Sequence, residues 1–406
     1  MKKRNVLMVC LVLLGSSVLF SQTVKTNGYI RNSVYSYATQ KTEGSTATET
    51  HTRLYQTINV NVSSGQLSAI QLHFAGRALT DLAETDLSDL KRFKAYRFSV
   101  SGKGLFHNFL DFELGRQFLY PGLILGSLDG LNLTVKPWKN ISWQIYGGME
   151  SHLLRAFKMY QPSEATVFGS RLKLNHLLNT NWHLVYLQKM YHSQTQWQIV
   201  GLNVANYSLP HLTVLLQSHY DLVNNRMHRL YLSARYQVNR KLFLSGYVKE
   251  QYPQVYNTSY FEIFEVEQYL LAGFNAAYQL NNRFNLTAMV QGVQLEEGYG
   301  NRFIVTLGDA NGSLGLIYES GDLGNQLGLL IDYRYEILKN LLATVSVDFS
   351  RYRFEKRFDY DSQIANALGL SYRFSKHWNA RLEYQWLRNT DFKYDQRVLN
   401  HINFIW

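Results

Sequence analysis

The 406-residue sequence contains a single cysteine and only 5 prolines. Cys10 sits inside an apolar stretch over residues 6–20. That stretch reads as a cleaved segment, so the mature chain is expected to hold no thiol, which excludes disulfides and thiolate metal sites. Scarce proline leaves hydrogen-bonded ladders uninterrupted. No run of four Lys/Arg exists, and the positive charges are scattered singly, which argues against a nucleic-acid partner. After the first apolar stretch there is no second candidate for a membrane helix. The longest segment free of Asp, Glu, Lys and Arg, around residues 193–220, is full of Gln, Asn, Ser and His and includes Pro210, a poor lipid-facing helix.

Met1-Lys2-Lys3-Arg4, the apolar stretch and then Ser21-Gln22 form a charged leader, a hydrophobic segment and a small residue at a cleavage point. Residues 1–21 are therefore expected to be a signal peptide cleaved near Ser21, with residues 22–406 as one domain. Removing Lys2, Lys3 and Arg4 takes the formal net charge from +11 to +8 (11 − 3). If the exported chain spans a membrane it must do so as a closed sheet, because only helices and barrels satisfy every backbone group in lipid.

What the sequence has in quantity is aromatic residues, 29 Tyr and 22 Phe, which suit pleated surfaces. One pattern repeats from residue 22 onward: about ten residues of alternating polarity, then a break. In residues 54–62, Leu54, Ile58, Val60 and Val62 oppose Tyr55, Thr57, Asn59 and Asn61. In residues 110–114, Leu110, Phe112 and Leu114 oppose Asp111 and Glu113; near the end, Ala380, Leu382, Tyr384 and Trp386 oppose Arg381, Glu383 and Gln385. Period-two alternation puts each set on its own face of a strand. Short breaks such as Ser101-Gly102-Lys103-Gly104, Asn239-Arg240, Ala310-Asn311-Gly312 and Lys339-Asn340 read as tight turns. Longer polar breaks, at residues 40–51, 81–89, 150–164, 251–260 and 353–362, read as loops. The expected fold is an all-β transmembrane antiparallel up-and-down barrel of about 22 strands, within a range of 18–22, with short periplasmic turns and longer extracellular loops. An even count puts both termini on the short-turn side. A soluble sandwich or propeller is the structural rival, and it gives no reason for Trp and Tyr at so many segment ends.

The last strand places Ile402, Phe404 and Trp406 on one face. It resembles the C-terminal strand of outer-membrane barrels, whose terminal aromatic is read by the barrel-assembly machinery; the resemblance implies Phe404 and Trp406 as the assembly signal. A second stretch, Leu114-Gly115-Arg116-Gln117-Phe118-Leu119-Tyr120-Pro121-Gly122 followed by Gly126-Ser127-Leu128-Asp129-Gly130-Leu131, resembles the strand-and-loop pattern of outer-membrane porin-like barrels of the alginate-export type. That resemblance implies outer-membrane passage of an anionic or sugar-like solute.

Motifs for catalysis are missing. The Ser127 and Ser313 turns lack the Gly-x-Ser-x-Gly spacing of a nucleophile elbow. The 12 histidines show no pairing with an intervening Glu, so a zinc protease has no support. The segment from Asp309 has Leu314 where a calcium loop needs glycine. No enzyme activity and no cofactor are expected. Trp143, Trp182, Trp378 and Trp386 are expected in interfacial girdles.

If the apolar phases face lipid, the opposite phases face the interior. That interior set holds Arg31, Arg77, Arg97, Arg171, Lys173 and Arg235, then Arg334, Arg373 and Arg381, against Asp111, Glu113, Asp332 and Glu383. Gln71 and His73 share the phase. Arg116 follows Leu114 toward lipid, where a charge at mid-bilayer costs about 2–4 kcal/mol. A bulge at Gly115 turning Arg116 inward is the preferred escape, and an outer-interface position is the other. Rings of Arg and Lys bias a pore toward anions. The expected function is an outer-membrane channel of a Gram-negative cell for passive passage of small polar or anionic solutes; a non-channel barrel of an export or surface-assembly system is the alternative. Expected partners are outer-membrane lipid and lipopolysaccharide, the barrel-assembly machinery and a possible periplasmic protein.

Overall fold

A computed structural model describes residues 24–42, 48–64, 69–83, 88, 92–120, 123, 126–152, 155–253, 267–296, 298–322, 324–353 and 359–406. The expected signal peptide and its cleavage point lie outside the described residues, as do parts of the loops at 40–51, 81–89, 251–260 and 353–362.

The described residues form 22 strands in one antiparallel sheet. The first eleven are β1 (Val24–Lys41), β2 (Glu49–Ser64), β3 (Ile70–Asp81), β4 (Phe93–Gly104), β5 (Leu110–Leu119), β6 (Gly126–Trp138), β7 (Ile141–Glu150), β8 (Ala165–Leu177), β9 (Thr180–Tyr191), β10 (Gln194–Asn206) and β11 (Leu212–Asp221). The rest are β12 (Arg226–Gln237), β13 (Leu242–Gln251), β14 (Tyr269–Gln279), β15 (Asn285–Gln294), β16 (Tyr299–Gly308), β17 (Gly312–Gly321), β18 (Asn325–Leu338), β19 (Leu341–Arg353), β20 (Asp361–Arg373), β21 (Trp378–Arg388) and β22 (Phe392–Ile405). Each strand pairs with its neighbours in sequence, and β1 pairs with β22 as well as β2, so the sheet closes. Ile30 stands opposite Ile58 on one side and Phe404 on the other.

Alternation sends one apolar row outward. Leu72, Leu114, Leu232, Phe274, Leu316 and Leu368 are all exposed large hydrophobics on this row. In water an apolar surface extending round the whole wall would drive aggregation; against hydrocarbon it is the required solvent face. The chain is a transmembrane β-barrel. Trp143 and Trp378 are exposed on this outer face, and Trp182 and Trp386 share its phase.

Connections at the rim that carries both ends of the sheet are tight, such as residues 139–140 and 339–340. The opposite rim holds the long connections at 151–164 and 252–268, but also short ones at 192–193, 322–324 and 389–391. The expected contrast of short turns against long loops therefore holds for only part of the upper rim. An antiparallel pair can be joined by a two-residue turn at either end. His192 and Ser193 adopt φ of 48° and 62°, the positive values of a two-residue hairpin turn usually reserved for Asn and Gly. Ser101–Gly104, expected as a turn, instead ends β4, and the chain reverses through residues 105–108, where Phe106, His107 and Asn108 carry the positive φ values.

A row of glycines crosses the wall. Gly115 stands opposite Gly130, and Gly130 opposite Gly148. Gly115 has φ +113°. A Cβ on Gly130 would lie 2.2 Å from the Gly147 carbonyl oxygen, and one on Gly115 would lie 2.3 Å from that of Phe98. Only hydrogen atoms fit at this approach. Above the row, on the inner face of β5–β10, Leu119, Leu128, Tyr146, Val167, Leu187 and Trp197 form one buried cluster, with Leu123 of the β5–β6 connection packed against it. Each of these six consecutive strands contributes one side chain, so the cluster runs from neighbour to neighbour along the inner face. Gly130→Ala is expected to lower the thermal midpoint of the detergent-solubilised barrel clearly, whereas Gly246→Ala, whose added Cβ would meet nothing nearer than 3.7 Å, should change it little.

Candidate functional site

The inward phase carries the charged residues picked out by alternation, Arg116 excepted. Arg31 donates from Nε to Asn403 Oδ1 at 2.5 Å across the closing seam. Arg97 donates to Glu113 at 2.7 Å, and Ser99 adds a bond to the same carboxylate at 2.6 Å. Asp111 pairs with Lys136 at 2.5 Å. Arg381 binds Glu383 at 2.5 Å. Arg171 lies beside Tyr146 on the inner wall, and its buried Nε has no acceptor among the described residues. Lys173 stands opposite His183.

Arg235, Asp332, Arg334, Arg373 and Arg381 point inward yet are exposed to solvent. The interior beside β12 and β18–β21 is therefore open, while the interior beside β5–β10 is filled by the apolar cluster. In a 22-stranded wall, wider than those of the 16–18-stranded porins, a lumen filled on one side still has room for water.

Further inward ion pairs escaped the alternation argument. Arg53 binds Asp81 at 2.7 Å, Arg397 binds Asp395 at 2.5 Å, and Arg302 pairs with Glu319. Lys189 reaches Glu150 at 2.7 Å and sits 4.7 Å from the Trp197 ring centroid. The Arg302–Glu319 pair sits on equal phases of adjacent strands and was available to a register argument. Lys189–Glu150 joins β9 to β7 across β8, and no local pattern announces it.

Arg116 corrects the sequence expectation. Neither ladder of β5 shifts register at Gly115, so there is no bulge and Arg116 keeps the outward phase of Leu114 and Phe118. It meets no lipid. The β4–β5 ladder stops at Phe98 and Arg116, and the β7–β8 connection fills the gap above it. The Ala95 amide donates to the Arg155 carbonyl at 2.8 Å. Arg116 Nε and Nη2 each donate to Asp129 at 2.6 Å. Nη1 donates to the carbonyls of Ala95 at 3.2 Å and Ala156 at 2.5 Å, and Nη2 to that of Lys158 at 3.2 Å. All five N–H groups of the guanidinium are thereby used. The side chain replaces a missing stretch of ladder and fastens the connection to the wall; it does not line the lumen.

His152 lies in the same connection, stacked on Tyr160 with 5.2 Å between ring centroids. Burial, with Lys158 and Arg116 adding positive charge, holds its imidazole below the ordinary histidine range. It is therefore neutral near pH 7.

No family model matches the sequence, and no curated protein matches it. Among solved structures, Acinetobacter baumannii OccAB1 is 12% identical over 94% of this chain and 96% of that one, with a TM-score of 0.45. Pseudomonas aeruginosa OccK5 (OpdH) is 10% identical over 95% and 99%, with a TM-score of 0.43. Pseudomonas aeruginosa OccK2 (OpdF), solved in complex with glucuronate, is 11% identical over 94% and 98%, with a TM-score of 0.44. The barrel assignment rests on the closed ladder and the apolar outer face, not on these likenesses.

Two outcomes test the wall clamp. Arg116→Met strands a buried carboxylate and is expected to cost about 3–5 kcal/mol in urea unfolding of the solubilised barrel, with the double change Arg116→Met, Asp129→Leu restoring much of the loss. The folded-state pKa of His152 lies below its unfolded value, so the stability it lends the connection is present above the ordinary histidine range and falls away as pH drops through it toward the depressed value. Hydrogen exchange at residues 156–158, corrected for intrinsic rates, should accelerate between about pH 7 and pH 5, and His152→Gln should abolish that acceleration.

Proposed function

We propose that the chain is an outer-membrane channel for passive passage of small polar or anionic solutes. The observation that carries this reading is the solvent exposure of inward-pointing Arg235, Asp332, Arg334, Arg373 and Arg381: a wall whose inner charges are hydrated encloses water. Many luminal charges cancel in pairs, among them Arg97–Glu113 and Arg53–Asp81. Arg31, Arg77, Lys173, Arg235 and Arg373 enter no carboxylate pair among the described residues, so the uncancelled balance favours anions. The formal excess of basic residues, +8 once Lys2, Lys3 and Arg4 are removed with residues 1–21 (11 − 3), points the same way.

The rest of the reading follows from a barrel of this kind. Residues 1–21 act as the export signal, removed near Ser21. Phe404 and Trp406, whose rings stack with centroids 5.8 Å apart, serve as the assembly signal for the barrel-assembly machinery. The outer wall meets lipid and lipopolysaccharide. A periplasmic partner belongs to the alternative role in an export or surface-assembly system, which a sealed lumen would favour.

Reconstituted into planar bilayers under a KCl gradient, the protein is expected to conduct with a reversal potential on the chloride side. The double variant Arg235→Gln, Arg373→Gln should move that potential toward zero. A silent or cation-selective protein would overturn the reading.

A further inference from the structure

Like charges directly opposite each other on a sheet destabilise it, and this wall contains such a pair. Arg77 of β3 stands opposite Lys94 of β4 on the inner face. A third cation joins them from outside the sheet. The carbonyl of Arg155 in the β7–β8 connection takes the Ala95 amide, and its guanidinium lies 5.4 Å from the Tyr96 ring centroid. Arg77 lies over Tyr55 at 4.8 Å and faces the Tyr96 ring at 5.9 Å. Lys94 is within electrostatic reach of both arginines.

Among the described residues none of the three has a carboxylate partner. Neighbouring cations are matched: Arg53 has Asp81, and Arg97 has Glu113. Arg77 also keeps a buried Nε without an acceptor among the described residues. Arg155 is exposed and holds a φ of +53°, a value uncommon for a residue with a side chain. Strain of that kind persists where the surroundings enforce it, and it clusters at binding sites. Here it lets one residue cap β4 with its carbonyl and turn its charge toward Tyr96. A guanidinium resting on a ring face still presents its N–H edge to a ligand.

We propose that Arg77, Lys94 and Arg155 form a luminal binding site for a doubly charged oxyanion, a phosphate or sulfate group either free or borne by a larger solute. The two tyrosines lie against the guanidinium groups, three positive charges converge with no acid paired to them among the described residues, and the inward phase of Arg77 and Lys94 separates the site from lipid headgroups. The site supplies a specific ligand class for the channel proposed above and in that sense rests on it, but binding itself does not require conduction.

Isothermal titration of the solubilised full-length protein with inorganic sulfate, and separately with inorganic phosphate and a sugar phosphate, tests it. Saturable binding of these dianions is expected, with acetate and chloride far weaker. Arg155→Asn, which accepts a positive φ and leaves the main-chain bond to Ala95 in place, should weaken sulfate binding about tenfold or more, as loss of a charge-assisted contact implies. Lys94→Gln should do the same, and Arg240→Gln, in the β12–β13 turn, should not. Tighter binding of the sugar phosphate than of inorganic phosphate would identify an ester as the ligand; equal binding would identify the free ion. Heat-modifiable gel migration verifies that each variant is folded. Absence of saturable sulfate and phosphate binding in the unaltered protein, or affinity unchanged in folded Arg155→Asn, overturns the site. A protein that binds sulfate but is silent in bilayers overturns the channel and leaves the site standing.

Discussion

Hydrocarbon offers no hydrogen bonds, so every backbone N–H and C=O inside the membrane must find a partner within the protein. The architecture follows from that demand. Twenty-two strands satisfy one another in a ring, and the ring has no edge. The same demand explains its most unusual local feature. Where the β4–β5 ladder ends early, the exposed groups of Ala95 are taken by the Arg155 carbonyl on one side and the Arg116 guanidinium on the other. A charged side chain on the outer face is tolerated because it does the work of backbone, with a carboxylate beside it to neutralise it.

The interior is uneven round the wall. Gly115, Gly130 and Gly148 leave room for close backbone approach in the wall of β5–β7, and the inner face of β5–β10 carries a buried cluster of Leu, Tyr, Val and Trp. Along β12 and β18–β21 the inward Arg235, Arg334, Arg373 and Arg381 are exposed to solvent. The β7–β8 connection ties these halves together: it closes the gap in the wall through its main chain and delivers Arg155 to the luminal cations through its side chain. One segment therefore links the integrity of the wall to the charge of the lumen.

Much of this fold was legible in the sequence because strand alternation is strict. A period of two forces each residue's face once its neighbours are placed, so Arg31, Arg235, Asp332, Arg373 and Arg381 could be sent inward from pattern alone. The strand number followed from the breaks. What pattern could not show was tertiary. Arg116 was expected to escape lipid through a bulge, but the phase is unbroken and cover comes from a connection forty residues later in the chain, at Ala156. The turn at His192-Ser193 carries positive φ on residues that seldom signal it. The cluster of Arg77, Lys94 and Arg155 needed both the register of two strands and the path of a connection on neither.

All but one of the ladders join strands consecutive in the chain, and each can form as a local hairpin. The exception, β1 with β22, brings Arg31 to Asn403 across a sequence separation of 372. Its loop-closure entropy grows only with the logarithm of that length, yet no neighbouring hairpin can stand in for it. Should the seam part, two long strands would present unpaired edges side by side, each a template for the complementary edge of a second opened ring. Exchange between such rings would conserve every hydrogen bond while doubling the circumference, so the fidelity of a single junction decides whether the wall encloses one pore or fuses with its neighbour.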